Sequence, residues 1–227
     1  MNNAMDAAIA TEARHAAPAR RRGRPAANSV QPVGEEQLLS LAFVHFAEKG
    51  YEATTVRELA RRLGVSHNLL NVRFGRKQDL WKAAVDWRLA SASRDVVPAF
   101  AGNGSAQERL VDLVERFCQW AMINADIVSI SFQEGQHKSW RLDYIVGHFI
   151  RPFQAQFDLL IEETRATRPL TSLSTGALMA LLVHGVGSYF ALRPLHDQLA
   201  GDCDAGHLAT DARALARFIT AGLFHQP

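Results

Sequence analysis

Between Thr54 and Phe74 the chain reads TTVRELARRLGVSHNLLNVRF, and His67, Asn68, Asn71 and Arg73 within it can hydrogen-bond base edges or phosphate oxygens. Side chains read bases only when a narrow element carries them into the groove, and an α-helix fits the major groove. The spacing supplies such an element. Val56, Leu59, Ala60 and Leu63 fall at i, i+3, i+4 and i+7, lining one face of a short amphipathic helix. Thr55 with Glu58 forms a capping box at its start. Gly64 ends it where a left-handed residue is cheapest, Val65 can turn inward, and the Ser66 hydroxyl caps the next helix. Leu70 and Phe74, four apart, give that second helix its own narrow buried stripe. Helix, tight turn and short polar helix are the parts of a helix-turn-helix. A capped helical hairpin inside any all-α core shares the local pattern, so the flanks decide.

Those flanks are helical. Glu35 to Gly50 carries Leu38, Leu39, Leu41, Ala42, Phe43, Phe46 and Ala47 in helical register, with Lys49 and Gly50 as a basic last turn and a C-cap. Lys77 to about Val97 repeats the pattern with Leu80, Trp81, Ala84 and Trp87. The net charge of +2 hides an asymmetry: residues 1 to 90 hold 14 Lys and Arg against 9 Asp and Glu, and the remainder hold 11 against 14. The basic half is the half with the motif.

The run LLSLAFVHFAEKGYEATTVRELARRLGVSHNLLNVRFGRKQDLWKAAV closely resembles the DNA-binding domain of the tetracycline-repressor (TetR-like) family of bacterial transcription regulators. Its marks are the F-A-E-K-G-Y-x-A-T-T-V connection, the A-x-x-x-G-V-S turn and the F-x-x-K-x-x-L entry to the fourth helix, covering Leu38 to about Val85. The resemblance implies an all-α chain: an N-terminal three-helix helix-turn-helix domain and a larger C-terminal helical domain for effector binding and dimerisation, about nine helices in all. It implies DNA contacts from Thr55, Ser66, His67, Asn68, Asn71, Arg73 and Lys77, the last matching the family's phosphate-contacting lysine. Four positions depart from the family. Asn68 replaces the usual glycine, Asn71 the phosphate-binding tyrosine, Arg73 the histidine, and Arg76 the serine that caps the fourth helix. The lost tyrosine puts one backbone anchor in doubt, whereas Asn71 and Arg73 suit adenine and guanine edges.

The chain is expected to divide into a disordered basic arm over 1–33, the helix-turn-helix domain over 34–80, and the effector and dimerisation domain over 81–227. In the arm, Arg20-Arg21-Arg22-Gly23-Arg24-Pro25 resembles an AT-hook, whose arginines enter the narrow minor groove of A/T-rich DNA. A generic basic tail has the same composition, and in either case Arg22 and Arg24 are candidate DNA contacts. No charged start followed by an apolar core marks an export signal, so the cytoplasm is the expected location. Cys118 and Cys203 lack disulfide-framework or metal-ligand spacing and fit a reducing compartment.

From Leu170 to Leu192 there is no Asp, Glu, Lys or Arg, a length that could cross a membrane at about 20 residues. Thr171, Ser172, Ser174 and Thr175 at one end and His184 in the middle argue instead for a helix buried on two sides, against its own domain and a partner subunit. In the family the last two helices form a dimer four-helix bundle. Candidate interface residues are Gly176, Val183, Gly187, Leu215 and Ile219, with Arg193 to Gly206 expected as the connecting loop. Before them, helices are expected over Ala106 to about Asn124, Ala125 to about Gln136, and Ser139 to Arg168, the last kinked or divided by Pro152. Their aromatic wealth suits plain core packing and also an apolar effector pocket. Trp120, Phe132, Glu134, His137, Trp140, Tyr144, His148 and Phe149 are the candidate lining.

Catalytic fingerprints are missing: there is no G-x-S-x-G, H-E-x-x-H, P-loop or dinucleotide motif, and no histidine pair has metal-ligand spacing on one helix face. No enzyme, cofactor or metal is expected. The sequence reads as a homodimeric, ligand-responsive transcription regulator: a repressor that a small apolar or aromatic effector releases from a palindromic double-stranded DNA operator. Two alternatives stand beside it. One is a weakly specific architectural DNA-binding protein without effector; the other is a helical small-molecule-binding protein with a vestigial DNA domain.

Overall fold

Five helices begin where a serine or threonine hydroxyl takes up an orphan backbone donor. The computed structural model describes residues 34–200 and 205–224, all helix or connecting turn, with no strand among them. The first four helices are α1 (Glu35–Lys49), α2 (Val56–Arg62), α3 (His67–Phe74) and α4 (Lys77–Val96). After a 3-10 turn over Val97–Ala101 come α5 (Ala106–Ile123), α6 (Ala125–Gly135), α7 (Trp140–Ile145) and α8 (Arg151–Thr167), then α9 (Thr175–Ala180), α10 (Gly187–Ala191), α11 (Arg193–Ala200) and α12 (Ala205–Leu223). The Ser105, Ser139 and Ser174 hydroxyls each accept the backbone N–H three residues on, capping α5, α7 and α9. The arginine tract lies outside the described residues, and with it the Arg22 and Arg24 assignments.

Two cores result. One joins Leu38, Phe43 and Phe46 of α1, Leu59 of α2, Leu70 of α3 and Leu80, Trp81 and Val85 of α4 with Ile127 and Ile130 of α6 and Ile145 of α7. The other joins α5, α8, α9, α10 and α12 through Leu113, Phe117, Phe157, Ile161, Leu178, Phe190 and Ile219. Helix α4 serves both, because its end contributes Val96 to the second core. Residues from 33 onward form one compact unit.

Two prolines stand in the first turns of helices. Pro152 does divide the segment after Ser139, but through a π-helical turn over Val146–Ile150, where the Arg151 N–H bonds the Val146 carbonyl five residues back. The wider turn moves a carbonyl from under the proline ring, and Pro152 then sits in the first turn of α8, where no N–H is required. The expected loop from Arg193 to Gly206 instead begins with helix α11. Pro194 stands in its first turn, and Arg193 pairs with Asp197 one turn on at 3.5 Å. A second π turn spans Leu181–Val186. At the end of the uncharged run the chain bends by 65° between Thr175–Ala191 and Arg193–Leu199, and no single helix among the described residues is long and apolar enough to cross a membrane.

Candidate nucleic-acid interface

Helices α2 and α3 are held by their caps. Thr55 Oγ1 accepts the Glu58 N–H and Ser66 Oγ accepts the Leu69 N–H, both at 3.1 Å. Between them Gly64 takes φ of 67°, and the Val65 N–H bonds the Ala60 carbonyl at 3.0 Å. This closure needs a left-handed residue, and glycine occupies that region without a Cβ penalty. The turn thus buries Leu59, Ala60, Leu63 and Leu70 and leaves the far side of α3 in solvent.

The exposed residues of α3 are His67, Asn68, Leu69, Asn71, Val72 and Arg73. Three are partly engaged. Asn71 Nδ2 lies 3.2 Å from His67 Nδ1, and Arg73 Nε lies 3.4 Å from Glu35 Oε2 on α1. Asn68 makes no side-chain hydrogen bond among the described residues. Leu69 and Val72, which the sequence reading passed over, are outward apolar groups, Val72 being 78 % exposed. A helical wheel drawn from Leu70 and Phe74 could have found them.

At the start of α4, Asp79 supplies the cap that Arg76 cannot, its Oδ2 accepting the Arg76 N–H at 3.0 Å. Lys77 carries its ammonium 4.1 Å from the Tyr51 ring centroid, and partial burial there holds its pKa below the usual lysine range. Arg141 of α7 stands over the same ring at 4.6 Å. Its guanidinium donates to both Glu134 oxygens at 2.8 Å and to Glu52 at 2.9 Å, and Gln133 donates to the Ala47 carbonyl. So α6 and α7 grip the α1–α2 connection independently of α4. Behind α1, His45 is buried; Arg62 donates to its Nδ1 at 2.9 Å and pairs with Glu48 at 2.6 Å. Burial first, and the neighbouring Arg62 charge second, lower the His45 pKa.

The candidate effector residues are dispersed. Trp140 packs edge-on against Trp81 and Tyr51, at 5.2 and 5.4 Å between centroids, and Tyr144 joins them at 6.1 Å from Trp81. Tyr144 donates to Asp86 at 2.8 Å and stacks on His148 at 4.1 Å; burial and that carboxylate push its pKa up to about 12. Phe149 is half-buried in the same cluster. Glu134 is buried in its Arg141 pair, His137 is exposed in the α6–α7 turn, and Phe132 faces His184 at 5.1 Å. Trp120 lies between the two cores, its indole donating to the Ala92 carbonyl at 3.0 Å. A cavity of about 150 Å³ lies elsewhere, among Tyr189, His196, His207, Leu208 and Asp211.

Of the candidate subunit-contact residues, Gly176 is exposed, while Val183 and Leu215 are half-buried against the second core. Gly187 lies against Val128, whose Cγ1 would stand 3.0 Å from an added Cβ, and Ile219 is inside the protomer's own core. The outward faces carry Leu181 and His184 on the bent helix, and Ala214, Phe218 and Ala221 on α12. Phe218 is 78 % exposed.

Residues 38–84 match the family described as bacterial regulatory proteins, tetR family. An uncharacterised helix-turn-helix-type transcriptional regulator of Bacillus subtilis (strain 168), YezE, is 31 % identical over 78 residues. That match spans 34 % of this chain and 40 % of the relative's length. Among solved structures, the ketosteroid transcriptional regulator KstR2 of Mycobacterium tuberculosis is similar with a TM-score of 0.64 at 18 % identity, over 86 % of this chain and 98 % of that one. The regulator FadR of Bacillus subtilis, in complex with stearoyl-CoA, is similar with a TM-score of 0.60 at 14 % identity, over 82 % and 98 %.

Proposed function

We propose that the chain, whose residues 38–84 match the tetR family of bacterial regulatory proteins, is a homodimeric, effector-released repressor of a palindromic operator. The observation that carries this reading is α3, a short helix capped at its start, anchored by Leu70, and turning His67, Asn68, Leu69, Asn71 and Val72 outward. Among the described residues that face is exposed. Lys77 stands at the next helix start, suited to a phosphate. The protein acts without catalysis, in the cytoplasm where its DNA lies.

Dimerisation is supported by the apolar outer faces of α9, the following π turn and α12, where Leu181 and Phe218 face solvent in the protomer. A two-fold pair places two copies of α3 about 34 to 36 Å apart, or a multiple of this, so the operator carries inverted half-sites. The effector is apolar or aromatic and must bind the non-operator conformation better than the operator conformation. Two structural neighbours support an apolar class: one is named for ketosteroids, and the other was solved with stearoyl-CoA. Its binding reaches α3 by α4 and by the Arg141 grip on Glu52 and Tyr51.

Footprinting the full chain on random-sequence and genomic DNA tests the reading. A regulator protects a short palindrome with strongly salt-dependent affinity, because neutralised phosphates release counterions. Broad protection without a repeated sequence identifies an architectural protein, and absence of salt-sensitive binding identifies a small-molecule binder with a vestigial DNA domain.

A further inference from the structure

Four polar residues of α3 could read bases, yet three already have partners within the protomer: Asn71 and His67 meet each other, and Arg73 meets Glu35. Helix geometry settles which residues stand furthest forward. Successive residues turn by about 100°, so Val72, two residues from both Leu70 and Phe74, lies diametrically opposite the buried stripe those two define. Asn68, four residues earlier, lies on the same strip, and Leu69 flanks it. Asn71 and Arg73 sit on the two shoulders. The crest of the helix is thus one amide that makes no hydrogen bond among the described residues and a pair of γ-methyl groups, with a leucine beside them.

We infer that the strip Asn68–Val72 reads A·T base pairs, Val72 with Leu69 packing on thymine 5-methyl groups and Asn68 pairing its amide with an adenine. The inference rests on the DNA-binding reading above. In the major groove only thymine among the bases presents a methyl, and only adenine places an acceptor N7 beside a donor N6, the pattern an amide matches in bidentate fashion. Asn68 and Val72 are separated by about 6 Å along the axis, close to two base-pair steps of about 3.4 Å, so adjacent or next-adjacent pairs come within reach together. A valine 78 % exposed at the crest contributes nothing to the protomer's own core. Against a thymine methyl the same side chain loses apolar surface to water and gains affinity.

The test starts from a duplex selected out of a randomised pool by the full-length protein. Each thymine is replaced singly by deoxyuridine, which removes only the methyl, and each adenine by 7-deazaadenine, which removes only the N7 acceptor. At one or two thymines per half-site deoxyuridine should weaken wild-type binding about fourfold. Val72→Ala should weaken binding to the thymine duplex by a similar factor per half-site and erase the deoxyuridine effect, with an unchanged melting temperature because Val72 is exposed. Asn68→Ala should likewise erase a 7-deazaadenine effect within two base pairs of that thymine. If deoxyuridine has no effect anywhere, or if Val72→Ala stays as sensitive to it as the wild type, the inference is overturned while DNA binding stands. Failure to enrich any duplex overturns sequence-specific DNA binding itself, and this inference with it.

Discussion

The DNA-facing end and the face formed by α9 and α12 are built on opposite plans. At the first, outward residues are mostly polar or charged, with Leu69 and Val72 among them, and the interior is tied by directional contacts: Arg141 to Glu134 and Glu52, Arg62 to His45, and indole and phenol rings edge to face around Trp81. At the second, the interior is packed from aliphatic and phenylalanine side chains, and the outward surface carries Leu181 and Phe218. The first surface is the one proposed to meet a polyanion in one orientation, and directional groups specify orientation. The second has the composition of a surface that gains stability by leaving water, which needs area more than direction.

Breaking the contrast at its strongest point means removing Trp81, whose side chain is fully buried where α1, α4 and α7 meet. Trp81→Ala should destabilise the fold by about 3 to 5 kcal/mol, read by chemical denaturation. Hydrogen exchange should show α1–α3 opening before α5 and α12; simultaneous opening throughout would show that the two cores fold as one.

Phe218→Arg probes the other plan. Folding of the protomer should change by no more than about 0.5 kcal/mol, because the residue is exposed. Self-association should weaken by at least about 100-fold, since two-fold symmetry places a charge from each copy in one apolar seam. Ultracentrifugation of a dimer unaltered by the substitution would move the subunit contact away from α12. Ile219→Arg, by contrast, should unfold the protomer, because Ile219 points into its own core.

Removing the Ser66 cap sharpens the comparison locally. Ser66→Ala leaves the Leu69 N–H without its 3.1 Å partner and should cost about 1 kcal/mol, with a loss of operator affinity and no change in self-association. An equal effect on both would mean that α3 and the subunit face are coupled in the resting protein.

The smallest effect is on pH dependence. His45 has a folded pKa below its ordinary value of 6.5, so the unfolded chain binds the proton more readily and stability falls as pH drops through and below about 6.5. Protonation would place a cation against Arg62, with only Glu48 and Glu58 to offset it and Lys49 adding to the repulsion. His45→Gln should flatten the dependence of melting temperature on pH over that window, and an unchanged slope would assign the acid sensitivity to other groups.

Much of the DNA-facing end was legible in residue order because its determinants are local. The Thr55 and Ser66 caps, Gly64 and the spacing of Leu59, Ala60 and Leu63 act over four or five residues, the range over which sequence reports backbone geometry. The candidate site was less legible within that frame. Polarity drew attention to Asn71 and Arg73, yet their engagement with His67 and Glu35 depends on helix rotation and on the approach of α1. The π turns at Val146–Ile150 and Leu181–Val186 left no clear mark, and α11 was hidden by a proline that reads as a breaker until its place in the first turn is known.

By itself the sequence determined the all-α class, the capped α2–turn–α3 unit and its family, and the basic character of the end that carries it. These follow from short-range periodicity, backbone chemistry and net charge. Only the tertiary structure decided that Trp140 and Tyr144 pack with Trp81 behind the DNA-facing helices, that Arg141 reaches Glu52, and that Phe218 rather than Ile219 looks outward. In each case the deciding contact joins residues far apart in the chain or rotates a helix by a fraction of a turn. An apolar residue announces that it will be buried, but the surface that buries it is chosen by packing.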